Sequence, residues 1–450
     1  MSIPDMIRDV ATKDGVVLKT NYPLGSSVSV TPEMKQAYER GDYAAIQKQR
    51  DLQSNDLAPI FENIRQRAEN AFFRMLNPSD NTVYYMSIAG PASKPVSYMW
   101  VYLPPDVQAP EPSEGFKLSP VAQFGHYSVN GKSMGITMST WDNVAANIAS
   151  LMTIAIVRTI AKVIQLRIAG KTWSVAVKEA ISTVGKQLIA SNAVTATTWK
   201  SIAAKIGRTI RGMVVTAVAY YLIMFILDWV LKKFTVAVNI YNWDPDHNYI
   251  ISEEYKDNAK IEDGEPFTAT GLPSKADEIV LPDGFPQPPL DLVYQYVAMV
   301  YTNDQQFFEG LGMAFRVQSE DKSTAFCMKY LCSRVHDNQL GITAGASGNL
   351  KSYYDDIGAW APIGNYNAST TIPGTNVPIS CVTNKLNFAE DGLFEFDVHI
   401  GIQPPANAKI SRSDVPHRVV LTPVEATVPE EKTFVVLPNG KEAMVAPREL

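Results

Sequence analysis

Met224-Phe225-Ile226-Leu227-Asp228-Trp229-Val230-Leu231-Lys232-Lys233-Phe234-Thr235-Val236-Ala237-Val238-Asn239-Ile240 divides the chain into two kinds of structure. Up to Leu231 the residues continue an apolar run that begins at Met213 and has Asp228 as its one charge. That is the composition of a helix able to meet hydrocarbon. After Lys232-Lys233 the apolar residues alternate with others, the period of a β-strand with two different faces.

The alternation continues downstream. Leu292 to Tyr301 and Gly312 to Val317 alternate, and Phe394-Glu395-Phe396-Asp397-Val398-His399-Ile400 does so most cleanly. Clusters of Pro, Gly, Asn and Asp separate these runs, which predicts a β-sandwich over 234–402. The Pro-spaced tail, 403–450, predicts a terminal hairpin across Pro438-Asn439-Gly440.

Upstream lies the unusual segment. Residues 142–233 predict three helices, over about 143–169, 173–191 and 197–233. Between Asn143 and Thr235 stand twelve Lys/Arg against Glu179 and Asp228, a net of about +10. The rest of a chain whose total is −6 must then carry about −16. A charge asymmetry of this size gives the segment a partner of its own, either an anionic surface or the acidic remainder. On the first helix Asn147, Ser150, Arg158, Lys162 and Gln165 form a narrow polar stripe, with Arg167 off it. Apolar faces that pack in the water-soluble form and turn to lipid in the membrane form suit this pattern. So does a helical core whose cations pair with the acidic parts.

Residues 1–141 predict a mixed α/β domain. A β lead-in precedes a helix opened by Thr31-Pro32-Glu33, an N-cap, an N1 proline and an acidic first turn. Breaks are expected near Gly41-Asp42 and Ser54-Asn55, and helix again from Leu57 to Leu76. Val83 to Met86, Tyr98 to Tyr102 and a hairpin across Asn130-Gly131 read as strands. The whole is thus expected to be α+β: an N-terminal helix/β region, a central apolar and cationic helical segment, and a C-terminal sandwich.

Composition excludes several functions. A pI near 5.5 argues against a general nucleic-acid binder, and three cysteines make no disulfide framework in 450 residues. Met1 to Gly15 has no apolar core of a secretory peptide. There is no G-x-S-x-G, G-x-x-x-x-G-K-[ST], H-E-x-x-H or G-x-G-x-x-G, so no enzyme activity and no cofactor is expected. Cys327, Cys332 and His336 have a spacing that raises zinc, but positions five apart on a strand face opposite sides. His399, alternating within an apolar strand, reads as a satisfied core histidine.

From Tyr221 to Ile402 the order of features resembles the actinoporins, pore-forming cytolysins of the cytolysin/lectin β-sandwich group. Met224 to Leu231 resembles the end of their amphipathic helix, and Val236 to Ile240 their opening strand. Glu278-Ile279-Val280-Leu281-Pro282, Glu309-Gly310-Leu311-Gly312-Met313-Ala314, Ser352-Tyr353-Tyr354-Asp355 and Phe394 to Ile400 follow in the family's order. The resemblance implies a pore-forming toxin or membrane-disrupting effector that binds a bilayer by its sandwich and inserts helices. It implies lipid-headgroup contacts at Tyr330, Tyr353 and Tyr354. It implies insertion through Val214, Val218, Leu222, Phe225 and Trp229. The partner would be a membrane of anionic or phosphocholine lipid, met as a homo-oligomer and without nucleic acid. The protein would be soluble as made, exported without a secretory signal peptide, and active at a target cell membrane. The other expectation is a non-lytic lectin-like or structural protein whose helices are its soluble core.

Overall fold

The computed structural model describes residues 26–76, 83–90, 95–102, 118–141, 146–191, 194–197, 199, 235–261, 270–272, 274, 291–303, 310–319, 323–333, 336–345, 348–387, 393–410, 433–436 and 442–445. In chain order the N-terminal region holds β1 (Ser26–Val30), α1 (Pro32–Arg40), α2 (Tyr43–Arg67), β2 (Phe73–Leu76), β3 (Val83–Ala89), β4 (Ser97–Tyr102), β5 (Leu118–Ser128) and β6 (Lys132–Trp141). Two helices follow, α3 (Ala146–Ile168) and α4 (Trp173–Ala190). Then come β7 (Thr235–Asn242), β8 (Tyr249–Asp257), β9 (Ala259–Ile261), β10 (Thr270–Leu272), β11 (Asp291–Asn303), β12 (Leu311–Ser319), β13 (Ala325–Cys332) and β14 (Gln339–Ala344). The short helix α5 (Leu350–Asp355) precedes β15 (Asn367–Thr371), β16 (Pro378–Thr383) and β17 (Leu393–Ile400). The tail forms β18 (Thr433–Val436) and β19 (Glu442–Val445), as the hairpin signal predicted. The chain is α+β.

Local chemistry sets the first helices. Thr31 Oγ1 accepts a bond from the Met34 amide at 3.3 Å, with Pro32 at N1. Gly41 ends α1 in the left-handed region, at φ +64°, and Asp42 caps α2 by accepting from the Ala45 amide at 3.1 Å. The break expected at Ser54-Asn55 does not occur, and α2 runs unbroken through Pro59. The polar residues there are tertiary contacts instead. Asp56 accepts from Ser128 Oγ at 2.5 Å and from the Asn130 amide and side chain at 2.9 Å each, and Gln53 Nε2 donates to the Gly131 carbonyl at 2.6 Å. The helix expected to reach Leu76 stops at Arg67. A 3₁₀ turn over Ala68–Ala71 leads into β2, because pairing of Phe73–Leu76 with Val83–Met86 outweighs the helical period.

The described strands form two sheets. One has fourteen strands, in the order β15-β16-β17-β7-β11-β1-β6-β5-β4-β3-β2-β19-β18, with β9 on β11. Its link is β1, antiparallel to both β11 and β6, so the sheet runs across the division into 1–141 and 234–402 drawn from sequence. The second sheet has the order β10-β8-β12-β13-β14. It faces the β15–β16–β17–β7 part of the first across a core. That core holds Val236, Val238 and Ile240, Phe394, Phe396, Val398 and Ile400, and opposite them Met313, Phe315, Met328 and Tyr330.

The helices cover the other face of the long sheet. Ile46, Leu57, Phe61 and Ile64 of α2 share one cluster with Val157, Ile160, Val163 and Ile164 of α3, Val177 and Val184 of α4, and Tyr241, Val382 and Leu393 of the sheet. Helices 143–169 and 173–191 are therefore present as expected. The stripe on α3 is not uniformly a water face: Arg158 is buried, while Lys162 and Gln165 are half-buried and Gln165 Nε2 donates to the Arg65 carbonyl at 2.9 Å. Arg167 is buried too, its Nη1 donating to the Lys171 carbonyl at 2.8 Å. Among the described residues, no helix is long and apolar enough to cross a membrane. The segment 200–234 lies outside the described residues, and with it Val214, Val218, Leu222, Phe225 and Trp229.

Candidate functional site

The three tyrosines do not meet. On β13 neighbouring side chains point to opposite faces, so Lys329 faces α5 while Tyr330 enters the core between the sheets. Tyr330 is fully buried and stacks on Phe396, with centroids 4.9 Å apart. Its hydroxyl lies 3.0 Å from Thr383 Oγ1 and accepts from Asn338 Nδ2 at 3.1 Å. Its ring and hydroxyl are thus engaged inside the protein, and the headgroup contact expected of it has no surface to act from. The same strand rule separates the cysteines: Cys327 lies in the cluster beneath α5 and Cys332 in the core between the sheets.

Tyr353 and Tyr354 do lie together, on α5, with Asn349 as its N-cap. Both are nearly covered. The Tyr353 hydroxyl donates to the Cys327 carbonyl at 3.0 Å. Tyr354 packs against Tyr255 and Trp360, at 5.2 and 5.4 Å between centroids. Beneath them Lys329 Nζ donates to the carbonyls of Tyr353 at 2.7 Å, Tyr354 at 3.3 Å and Asp356 at 2.8 Å. The same ammonium sits 4.6 Å from the Tyr353 ring centre and 4.2 Å from that of Trp360. Burial pushes Lys329 down to about 8, against the pull of Asp356 and Asp355. The ammonium thus ties α5 and the following turn to the second sheet.

Gly312 completes this fit, because a Cβ there would overlap the Tyr354 ring and hydroxyl. Gly312→Ala is expected to displace Tyr354 and cost about 1–3 kcal/mol, the usual effect of overpacking. Chemical denaturation of the variant checks it, and an unchanged midpoint would mean that α5 is not packed this tightly.

A second constellation lies beneath α1 and α2. On β17 Phe394, Phe396, Val398 and Ile400 face the second sheet, so Glu395, Asp397 and His399 face the helices, and all three are buried. Arg50 of α2 reaches down to them. Its Nη2 donates to the Tyr38 hydroxyl at 2.9 Å, and its Nη1 is 3.9 Å from Glu395 Oε2. Asn239 of the adjacent, parallel β7 donates to Asp397 Oδ1 at 2.8 Å. Trp243 Nε1 donates to His399 Nδ1 at 3.1 Å, which leaves the His399 proton on Nε2, 3.0 Å from the Tyr43 hydroxyl. Tyr38 and Tyr241 pack on the imidazole, at 5.2 and 5.0 Å between ring centres. His399 is thus a hydrogen-bonded core histidine, as its place in the strand suggested.

Among the described residues one guanidinium here meets two carboxylates, and both Glu395 oxygens and Asp397 Oδ2 have no hydrogen-bond partner. Burial and the nearby Glu395 push Asp397 up to about 7, against Arg50 and the Asn239 bond. Burial and the Arg50 charge push His399 down to about 3. Burial opposes the charge on Arg50, yet Tyr38, Glu395, Tyr241 and Asp397 hold it well above its ordinary value. Sequence reasoning missed Arg50, Glu395 and Asp397 as a group. Their signal was the period-two placement of Glu395 and Asp397 on the same face as His399, and charged residues so placed in a sandwich strand read as a solvent face.

Among the described residues no three His, Cys, Asp or Glu side chains gather as metal ligands. No protein-family model matches the chain, and no curated protein is significantly similar to it in sequence.

Proposed function

We propose that this protein disrupts membranes: it binds a lipid bilayer through an actinoporin-like sandwich formed by its two facing sheets and commits apolar helices to the bilayer as a homo-oligomer at a target cell membrane. The observation that carries this reading is the packing of α3 and α4. Val157, Ile160, Val163 and Ile164 of α3 and Val177, Val184 and Leu188 of α4 lie against the core while Lys171, Lys178, Glu179 and Lys186 stay exposed. Such helices can exchange protein for lipid on the apolar face and keep their charges in water or among headgroups. They precede the run from Met213 to Leu231, whose nineteen residues with a single charge suit a hydrocarbon layer about 30 Å thick.

One observation favours the non-lytic reading, in which α3 is a permanent core helix. Arg158 and Arg167 are buried within the protein, and a charge carried to mid-bilayer costs about 3 kcal/mol. Dye release from liposomes separates the two. Membrane disruption predicts release that is stronger with anionic lipid and weaker in salt, because each basic residue near such a surface contributes about 1 kcal/mol. No release at any composition would leave the helices as a soluble core.

A further inference from the structure

The stretch from Ile357 to Asn384 contains no Asp, Glu, Lys, Arg or His across 28 residues, in a chain that is 19% charged. Much of it is at the surface. It carries the two most exposed large aliphatic side chains among the described residues, Ile357 at 87% and Ile363 at 71%. Scattered exposed aliphatics are ordinary on proteins, but these two stand on pinned backbone. Asp356 Oδ1 accepts from the Gly358 amide at 2.9 Å, and the Ala359 amide donates to the Asp356 carbonyl at 3.2 Å, closing a 3₁₀ turn whose first residue is Ile357. Lys329 holds the same Asp356 carbonyl from below. The Ala361 amide donates to Leu340 of β14 at 2.8 Å, and the Asn365 amide to Pro362 at 3.1 Å, closing a second turn that carries Ile363. Between the turns Trp360 is half-buried over Lys329, and Tyr366 follows them, half-buried in the same way.

We infer that these two turns are the surface through which the β region touches an uncharged, zwitterionic bilayer, with Ile357 and Ile363 entering the apolar boundary. This rests on the membrane reading above and names its contact, in place of the covered Tyr330, Tyr353 and Tyr354. The occupant follows from chemistry. Aliphatic tips backed by Trp and Tyr, whose rings favour the headgroup boundary, match a lipid interface. The lack of charge matches a surface without net charge. The two tips stand on separate turns, and the exposed carboxylates that precede them are already engaged, Asp355 by Lys351 Nζ at 2.5 Å and Asp356 Oδ1 by the Gly358 amide at 2.9 Å. Attachment through them is insensitive to salt, unlike any attachment through the cationic helices.

The test is sedimentation of the full chain with phosphatidylcholine vesicles in about 1 M salt, where screening acts within about 3 Å. Ile357→Asp/Ile363→Asp should weaken binding by at least about tenfold, from the apolar area kept out of the bilayer, with an unchanged melting temperature. A polarity-sensitive dye on Ile363→Cys should report an apolar setting once bound; the native cysteines are buried. Equal binding by the double variant, or a water-like signal from the bound dye, would overturn the inference while membrane disruption stands. Dye release from anionic vesicles without any binding to neutral ones would do the same. If the unaltered protein neither binds nor opens vesicles of phosphatidylcholine, with or without phosphatidylserine, both readings fall.

Discussion

Arg50→Met is expected to destabilise the protein by about 3–5 kcal/mol, because it removes one member of a buried ion pair and leaves the other. Glu395 and Asp397 would then share a buried seam without a cation, and the Tyr38 hydroxyl would lose its donor at 2.9 Å. A loss of that size is a large part of the 5–15 kcal/mol that holds a typical domain. The seam also joins α1–α2 to the long sheet, so the loss should appear as global unfolding. Urea denaturation measures it. The diagnostic companion is Arg50→Met/Glu395→Gln, which removes the orphaned charge along with the cation. If the double variant is no more stable than Arg50→Met alone, the charge balance described for this seam is wrong.

The same seam sets a pH dependence with opposing parts. The ordinary value is 3.8 for Asp397, which the fold pushes up to about 7, and 6.5 for His399, which the fold pushes down to about 3. Between about pH 4 and 6.5 the unfolded chain holds an ionised Asp397 and a protonated His399, while the folded chain holds both neutral. The two states bind the same number of protons through this pair, so its contribution to stability is flat across that window. Each partner alone has a slope. In Asp397→Asn the remaining His399 binds a proton only when unfolded, so stability should rise with pH from about 3 to 6.5. In His399→Gln the remaining Asp397 keeps its proton only when folded, so stability should fall as pH rises from about 4 to 7. The limiting slope is about 1.4 kcal/mol per pH unit in each case, with opposite signs. Denaturation midpoints across this range test it, and parallel profiles for the two variants would rule it out.

Much of the local structure was legible in the residues. Thr31-Pro32 and Gly41-Asp42 each supply their own hydrogen-bonding groups at the helix ends, so helix start and stop appear where sequence put them. The period-two runs at Val236 to Ile240 and Phe394 to Ile400 became neighbouring strands of one sheet, with their apolar residues in one core. The failures share a cause. Ser54-Asn55 looked like a break because polar residues favour caps and turns in isolation. In the fold the polar side chains around it bond to the β5–β6 turn, more than seventy residues away. Ala71 to Leu76 continued a helical period that a partner strand overrode.

Sequence by itself determined the periodicity of each element, the concentration of positive charge between Asn143 and Thr235, and the charge-free run after Asp356, because these depend on order along the chain alone. Which face each element turns inward was decided only by the tertiary structure. Alternation at β17 distinguishes two faces but not what lies on each, and only the covering by α1 and α2 makes Glu395, Asp397 and His399 a buried, coupled group. Tyr353 and Tyr354 share a helix in sequence, but whether they meet solvent depends on Lys329, Gly312 and Trp360, brought to them by other elements. Solvent exposure belongs to the packed whole, and the free energy of a charge or an apolar ring follows that exposure more than residue type.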